Sequence, residues 1–141
     1  MNELRVDFEN LEYEMGWMLY EGVPFTGVAF ENWPDGALRC EVPYLEGYKH
    51  GVEREWYQSG QVKEESELSN GGSHGKHTEW DEGGRIVVEA MYEDCQLIHK
   101  KNYRYDGSSS QAETVLSDTP VKRGVYRSLD EGSVSQKISP K

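Results

Sequence analysis

Six glutamates in this chain stand at a fixed interval: Glu31, Glu55 and Glu79 form one set, and Glu41, Glu65 and Glu89 another, with 24 residues between members of each. Carboxylates in such number could serve acid–base chemistry, and His50, His74 and His77 offer imidazoles that could hold a metal. Abundance is not placement, however, because proton transfer needs convergent groups in a pocket. There is no H-E-x-x-H, phosphate-binding loop or dinucleotide fingerprint in the chain. His50 and His74 are equivalent positions of a repeat, so about 9–10 Å should separate them, too far to share one ion. His74 and His77 read as repeated turn histidines. The expectation is a protein that is not an enzyme, with no catalytic, cofactor-binding or metal residues.

The elements that position these side chains come from the repeat itself. Gly27, Gly51 and Gly75 open three units; Gly36, Gly60 and Gly84 sit in their middles; Leu38, Val62 and Ile86 follow two residues on; Tyr44, Leu68 and Tyr92 close them. Several columns agreeing on one period of 24 mark a repeat array. Within a unit the apolar residues alternate, as in Leu38, Cys40, Val42 and Tyr44 or Ile86, Val88, Ala90 and Tyr92. Period two means strands with one covered face. Asp35-Gly36, Ser59-Gly60 and Gly83-Gly84 suit tight two-residue turns, so each unit is predicted to be a β-hairpin.

The predicted fold is all-β, an elongated single-layer antiparallel meander of hairpins stacked edge to edge. Only 35% of residues are apolar, mean hydropathy is −0.83 and there are 15 glycines, too little to fill a thick core. Residues 1–26 are expected to form capping strands, with Leu11–Tyr13 and Trp17–Tyr20 flanking a turn at Met15-Gly16. Residues 27–107 are the repeat sheet, and residues 108–141 a polar tail or cap, partly ordered.

Charge narrows the partners. The net charge is −11, yet residues 108–141 hold five basic and four acidic residues, so all the excess acid lies in the repeats and the capping strands. Such a surface repels nucleic acid and anionic membranes and attracts basic proteins. The N-terminus lacks the pattern of a secretory signal, no apolar run suits a bilayer span, and Cys40 and Cys95 lie far apart. A cytoplasmic protein with free thiols is expected.

In a stacked array, equivalent residues form columns across the sheet. Trp56 and Trp80 share one with Asn32, and Trp33 and Tyr57 share another that ends at Asp81. Beside them the glutamate columns form either a solvated outer face or an acidic strip for a basic partner, with tryptophan or tyrosine as anchors. The candidate partner-binding residues are Glu31, Glu55, Glu79, Trp33, Trp56, Tyr57 and Trp80. Whether the two glutamate columns share a face depends on the hairpin loop: a two-residue loop at Ser59-Gly60 opposes Glu55 and Glu65, and a three-residue loop with a bulge reverses that.

The unit G-x-x-x-x-W-Y-x-x-G-x-V-K-x-E from Gly51 to Glu65, and the entry segment from Leu19 to Gly27, resemble the MORN-repeat variant of YwqK-type antitoxin and immunity proteins. The resemblance covers about residues 11–107. Asp81 in place of Tyr57's aromatic ring and the loss of the glycine column in the fourth unit depart from the pattern. The resemblance implies a single all-β sheet and an immunity protein that binds and occludes a cognate bacterial toxin, a nuclease or deaminase-type domain with a basic surface, and is a monomer when free. The alternative is a non-enzymatic MORN-like scaffold or self-assembly module.

Overall fold

The computed structural model describes residues 3–105 and the backbone of the strand at 114–120. The rest of the expected tail, including Val125-Tyr126, lies outside the described residues. Thirteen strands carry the fold: β1 (Arg5–Asp7), β2 (Glu12–Glu14), β3 (Trp17–Tyr20), β4 (Val23–Pro24), β5 (Gly27–Asn32), β6 (Leu38–Leu45), β7 (Tyr48–Lys49), β8 (Gly51–Trp56), β9 (Val62–Ser69), β10 (Gly72–Trp80), β11 (Ile86–Glu93), β12 (Gln96–Arg104) and β13 (Thr114–Pro120). A ten-stranded sheet runs β1-β5-β6-β8-β9-β10-β11-β12-β13, with β7 paired to β6, and β2-β3-β4 form a small second sheet. From β5 onward every pairing is antiparallel, as the hairpin repeat predicts; β1 alone adds in parallel, against β5.

Two kinds of turn alternate along the array. Between repeats, the central residues of Glu46-Gly47, Asn70-Gly71 and Asp94-Cys95 all have positive φ, the geometry of a two-residue type I′ turn. Met15-Gly16 adopts it too, joining β2 to β3 as expected. Within repeats the turns differ from the two-residue loops predicted. Tyr57 N–H donates to the Gln61 carbonyl and Gly60 N–H to the Tyr57 carbonyl, both at 2.9 Å, so the loop is the three residues 58–60. Only Gly60 takes a positive φ, 97°, and it forms a bulge; Ser59, which lacks that freedom, stays in the ordinary region. Gly36 and Gly84 repeat the arrangement.

A second irregularity lies one pair further in. Trp56 pairs with Val62 but Glu55 pairs with Glu64, which leaves Lys63 as an extra residue; Arg39 and Val87 are extra at the equivalent places. The two bulges together settle the face question. Glu55 lies opposite Glu64, and its neighbour Arg54 opposite Glu65, so Glu55 and Glu65 point to opposite faces. The three-residue loop is present, and the second bulge restores the opposition that such a loop alone would reverse.

Repeats are tied together at the period of the sequence. Gly47, Gly71 and Cys95 donate their N–H groups to the carbonyls of Phe25, Lys49 and Ser73 at 2.8, 2.9 and 2.8 Å. The fully apolar core is small and sits at one end: Val6, Phe25, Ala29, Val42 and Tyr44, with Phe8, Leu11, Met18 and Tyr20 packed on it. Residues 3–26 therefore cap the first repeat. They cover the sheet face carrying Ala29 and Val42; along that row the next residues are Glu53, Ser66 and His77, which become polar beyond the cap.

Candidate functional site

The register assigns every candidate residue to a face. On the first face, a row of directly paired residues reads Glu31, Cys40, Glu55, Glu64, Glu79 and Val88 across β5, β6, β8, β9, β10 and β11. Neighbours in such a row are about 4.8 Å apart along the hydrogen-bonding direction. The structure thus brings Glu31, Glu55 and Glu79 onto one row and inserts Glu64 between the last two. On the opposite face, Glu41, Glu65 and Glu89 hold the other column.

The two columns are neutralised differently. Glu41 is paired with Arg5 and Glu65 with Arg54, each at 2.6 Å, and Glu89 accepts from the Tyr103 hydroxyl. On the first face the bulge residues supply the cations: Arg39 lies 3.0 Å from Glu31 and 4.0 Å from Glu55, and Lys63 lies 3.6 Å from Glu55. At the third repeat the bulge residue is Val87, so that cation is missing. The ion-pair partner of Glu64 and Glu79 among the described residues is His77, with Nε2 at 3.9 Å and 3.1 Å. Burial pushes the Glu64 carboxyl above its ordinary range; Glu79, Glu55 and Glu53 push it further, and His77 opposes them. Burial also raises the Cys40 thiol, helped by Glu31 and Glu55, which leaves it a poor nucleophile. Both cysteines are free thiols, as expected.

The predicted aromatic anchors divide between faces. Trp33 and Tyr57 share the face of Glu31, Glu55 and Glu79, where Arg39 and Lys63 sit over their rings at 4.9 and 5.8 Å. Trp56 and Trp80 alternate onto the other face, opposite Val62 and Ile86. The reason is strand alternation, since each tryptophan directly follows its glutamate on the same strand. Trp33 and Tyr57 also join repeats: the Trp33 indole N–H donates to the Trp56 carbonyl at 3.3 Å and the Tyr57 hydroxyl to the Trp80 carbonyl at 2.8 Å. Asp81 is too short to reach across. It closes its own turn instead, accepting from Gly83 N–H and Arg85 N–H at 2.9 and 3.0 Å, and these bonds hold its carboxyl below the usual range.

All four predicted anchors are half-buried. A group of exposed apolar side chains lies instead where β3 and β4 meet the β6–β7 turn: Trp17 is 43% exposed, Val23 60%, Leu45 46% and Tyr48 42%. The Trp17 and Tyr48 rings meet at a 59° tilt, 5.9 Å between centroids, beside a shallow groove. Sequence reasoning read Trp17 only as a capping strand; the signal available was that a terminal unit has a neighbour on one side only.

A sheet of 24-residue hairpins with a glutamate row on one face defines an all-β repeat protein. Residues 49–70, which span β7's second residue to the β9–β10 turn, match the MORN repeat variant. No curated protein and no solved structure matches the chain. Among the described residues no helix is long and apolar enough to cross a membrane.

Proposed function

We propose that this protein is an immunity protein of the YwqK antitoxin type, which binds and occludes a cognate toxin domain with a basic surface. The carrying observation is the row Glu55, Glu64 and Glu79, where three carboxylates stand side by side and the cations of the earlier repeats give way to Val87. Directly opposed like charges weaken a sheet. A basic partner would relieve that cost on docking, and the field of the row would speed encounter. Glu31, Glu55, Glu79, Trp33 and Tyr57 lie on this docking face, Glu64 extends it, and the exposed Trp17–Tyr48 groove supplies apolar anchors beside the cap. Trp56 and Trp80 support the sheet from behind. The toxin's own basic cleft, shaped for a nucleic-acid substrate, is the complement this acidic face fits.

The test is to purify the protein with the toxin domain encoded by the adjacent open reading frame. A tight heterodimer in sedimentation, with loss of toxin activity on titration, is expected. A self-assembled oligomer indifferent to that domain would favour a scaffold and contradict the proposal.

A further inference from the structure

We infer that Glu64, His77 and Glu79 form a binding site for a divalent transition-metal ion of the zinc class. The site takes Glu64 and Glu79 from the proposed docking row, but it rests on donor geometry alone and its test uses no toxin. His77 Nε2 and one carboxylate oxygen each from Glu64 and Glu79 all lie within 4.8 Å of one another. Zinc held tetrahedrally by nitrogen and oxygen at about 2.0–2.2 Å requires donor separations of about 3.4 Å. The observed distances from Nε2 to the two carboxylates, 3.1 and 3.9 Å, bracket that value.

The surroundings orient these donors. Ser66 Oγ lies 2.7 Å from His77 Nδ1, so a proton on Nδ1 can be donated to the hydroxyl while a bound ion takes the place of the Nε2 proton that bonds Glu79 Oε1 at 3.1 Å in the metal-free chain. Metal-bound histidines have such outer partners, which fix the ring and its tautomer. The Tyr92 ring packs edge-on to the imidazole at 6.3 Å between centroids. Both backbone anchors are fixed by strand pairing, Ser66 with His77 and Glu64 with Glu79, so the three donors sit on adjacent rigid strands.

The sequence column strengthens the case. Positions equivalent to His77 are Glu53 and Ala29, and those equivalent to Val87 are Lys63 and Arg39. The third repeat has thus lost a cation from one column and gained an imidazole in another beside the same glutamate, a change that converts a salt-bridged glutamate row into a nitrogen–oxygen donor set. The side chains are 18% (His77), 32% (Glu64) and 40% (Glu79) exposed, half-buried but reachable, which leaves a fourth position for water. An imidazole among the donors favours zinc over magnesium or calcium.

Isothermal titration of the chelator-treated full chain with zinc chloride tests the site. One saturable site per chain is expected, with no comparable heat from magnesium chloride. His77→Gln and Glu79→Gln should abolish binding, Ser66→Ala should weaken it about tenfold, and His74→Gln, which changes a histidine beside Asp94, should leave it unchanged. Glu64→Gln, which relieves repulsion and so keeps the fold, should also lose the ion. In the imidazole nitrogen spectrum, zinc should move His77 Nε2 rather than Nδ1. No saturable binding, or zinc held equally by folded His77→Gln or Glu64→Gln, would overturn the site.

Discussion

Glu55 and Glu64 stand directly opposite one another on β8 and β9, two carboxylates paired where a sheet ordinarily sets opposite charges. Lys63 softens the contact from the Glu55 side at 3.6 Å, while Glu64 is left with His77 at 3.9 Å. The repeat explains how this arises: a column inherited by every unit brings its charge along, and the second bulge turns Glu64 onto the same face. The arrangement costs stability and concentrates charge, and both consequences can be measured.

Removing the charge should stabilise the sheet. Glu64→Gln keeps the shape of the side chain and ends the repulsion by Glu55 and Glu79, and should raise unfolding stability by about 0.5–1 kcal/mol in urea with chelator present. Glu65→Gln, on the other face, loses the Arg54 pair and should give no gain. Equal effects of the two would show that the faces are not electrostatically distinct.

The link between repeats through Tyr57 should be worth a hydrogen bond. Tyr57→Phe leaves the Trp80 carbonyl without its hydroxyl donor and should cost roughly 1 kcal/mol, seen as a lower urea midpoint at unchanged slope. An unchanged midpoint would mean that solvent replaces the hydroxyl at no cost.

How far the sequence reveals the fold can be judged from particular residues. The glycine and aromatic columns disclose the 24-residue hairpin and the turn at Met15-Gly16, because each reports a local backbone requirement. Sheet faces are less legible: the extra residues Arg39, Lys63 and Val87 shift register by one, and Arg, Lys and Val share no chemistry that signals a bulge. Trp56 and Trp80 part from the glutamates they adjoin in sequence by strand alternation alone, which the period-two pattern already implies. The Glu64–His77–Glu79 cluster is hidden from a search for paired histidines, since its members come from two strands and from different columns.

Turn chemistry gives a third prediction. Cys95 holds φ +66° where the equivalent Gly47 and Gly71 have positive φ without strain. Cys95→Gly should therefore stabilise the protein by about 1 kcal/mol, whereas Gly60→Ala, at φ +97°, should destabilise it by about 1–2 kcal/mol. Thermal unfolding of the two variants should move in opposite directions; movement in one direction would contradict the turn assignment.

The core carries its own pH signature. Burial pushes the Tyr44 hydroxyl up to about 12, with Glu53 adding to the shift. A raised folded value means that the native state holds this proton more tightly than the unfolded chain. The stability it contributes is complete below pH 10, the ordinary tyrosine value, and declines as pH rises toward 12. Tyr44→Phe should remove roughly 1–3 kcal/mol of that alkaline loss. Identical alkaline profiles for the wild type and Tyr44→Phe would place the titration elsewhere.

The central claim is that the glutamate row docks a basic toxin domain, and its most direct test is the association rate of the Glu55→Lys/Glu79→Lys variant with the toxin domain the protein is proposed to occlude, measured across salt concentration. At low salt the rate should fall by about tenfold or more relative to wild type, and the two should converge as salt screens the field. Rates that coincide at every salt concentration would contradict the claim.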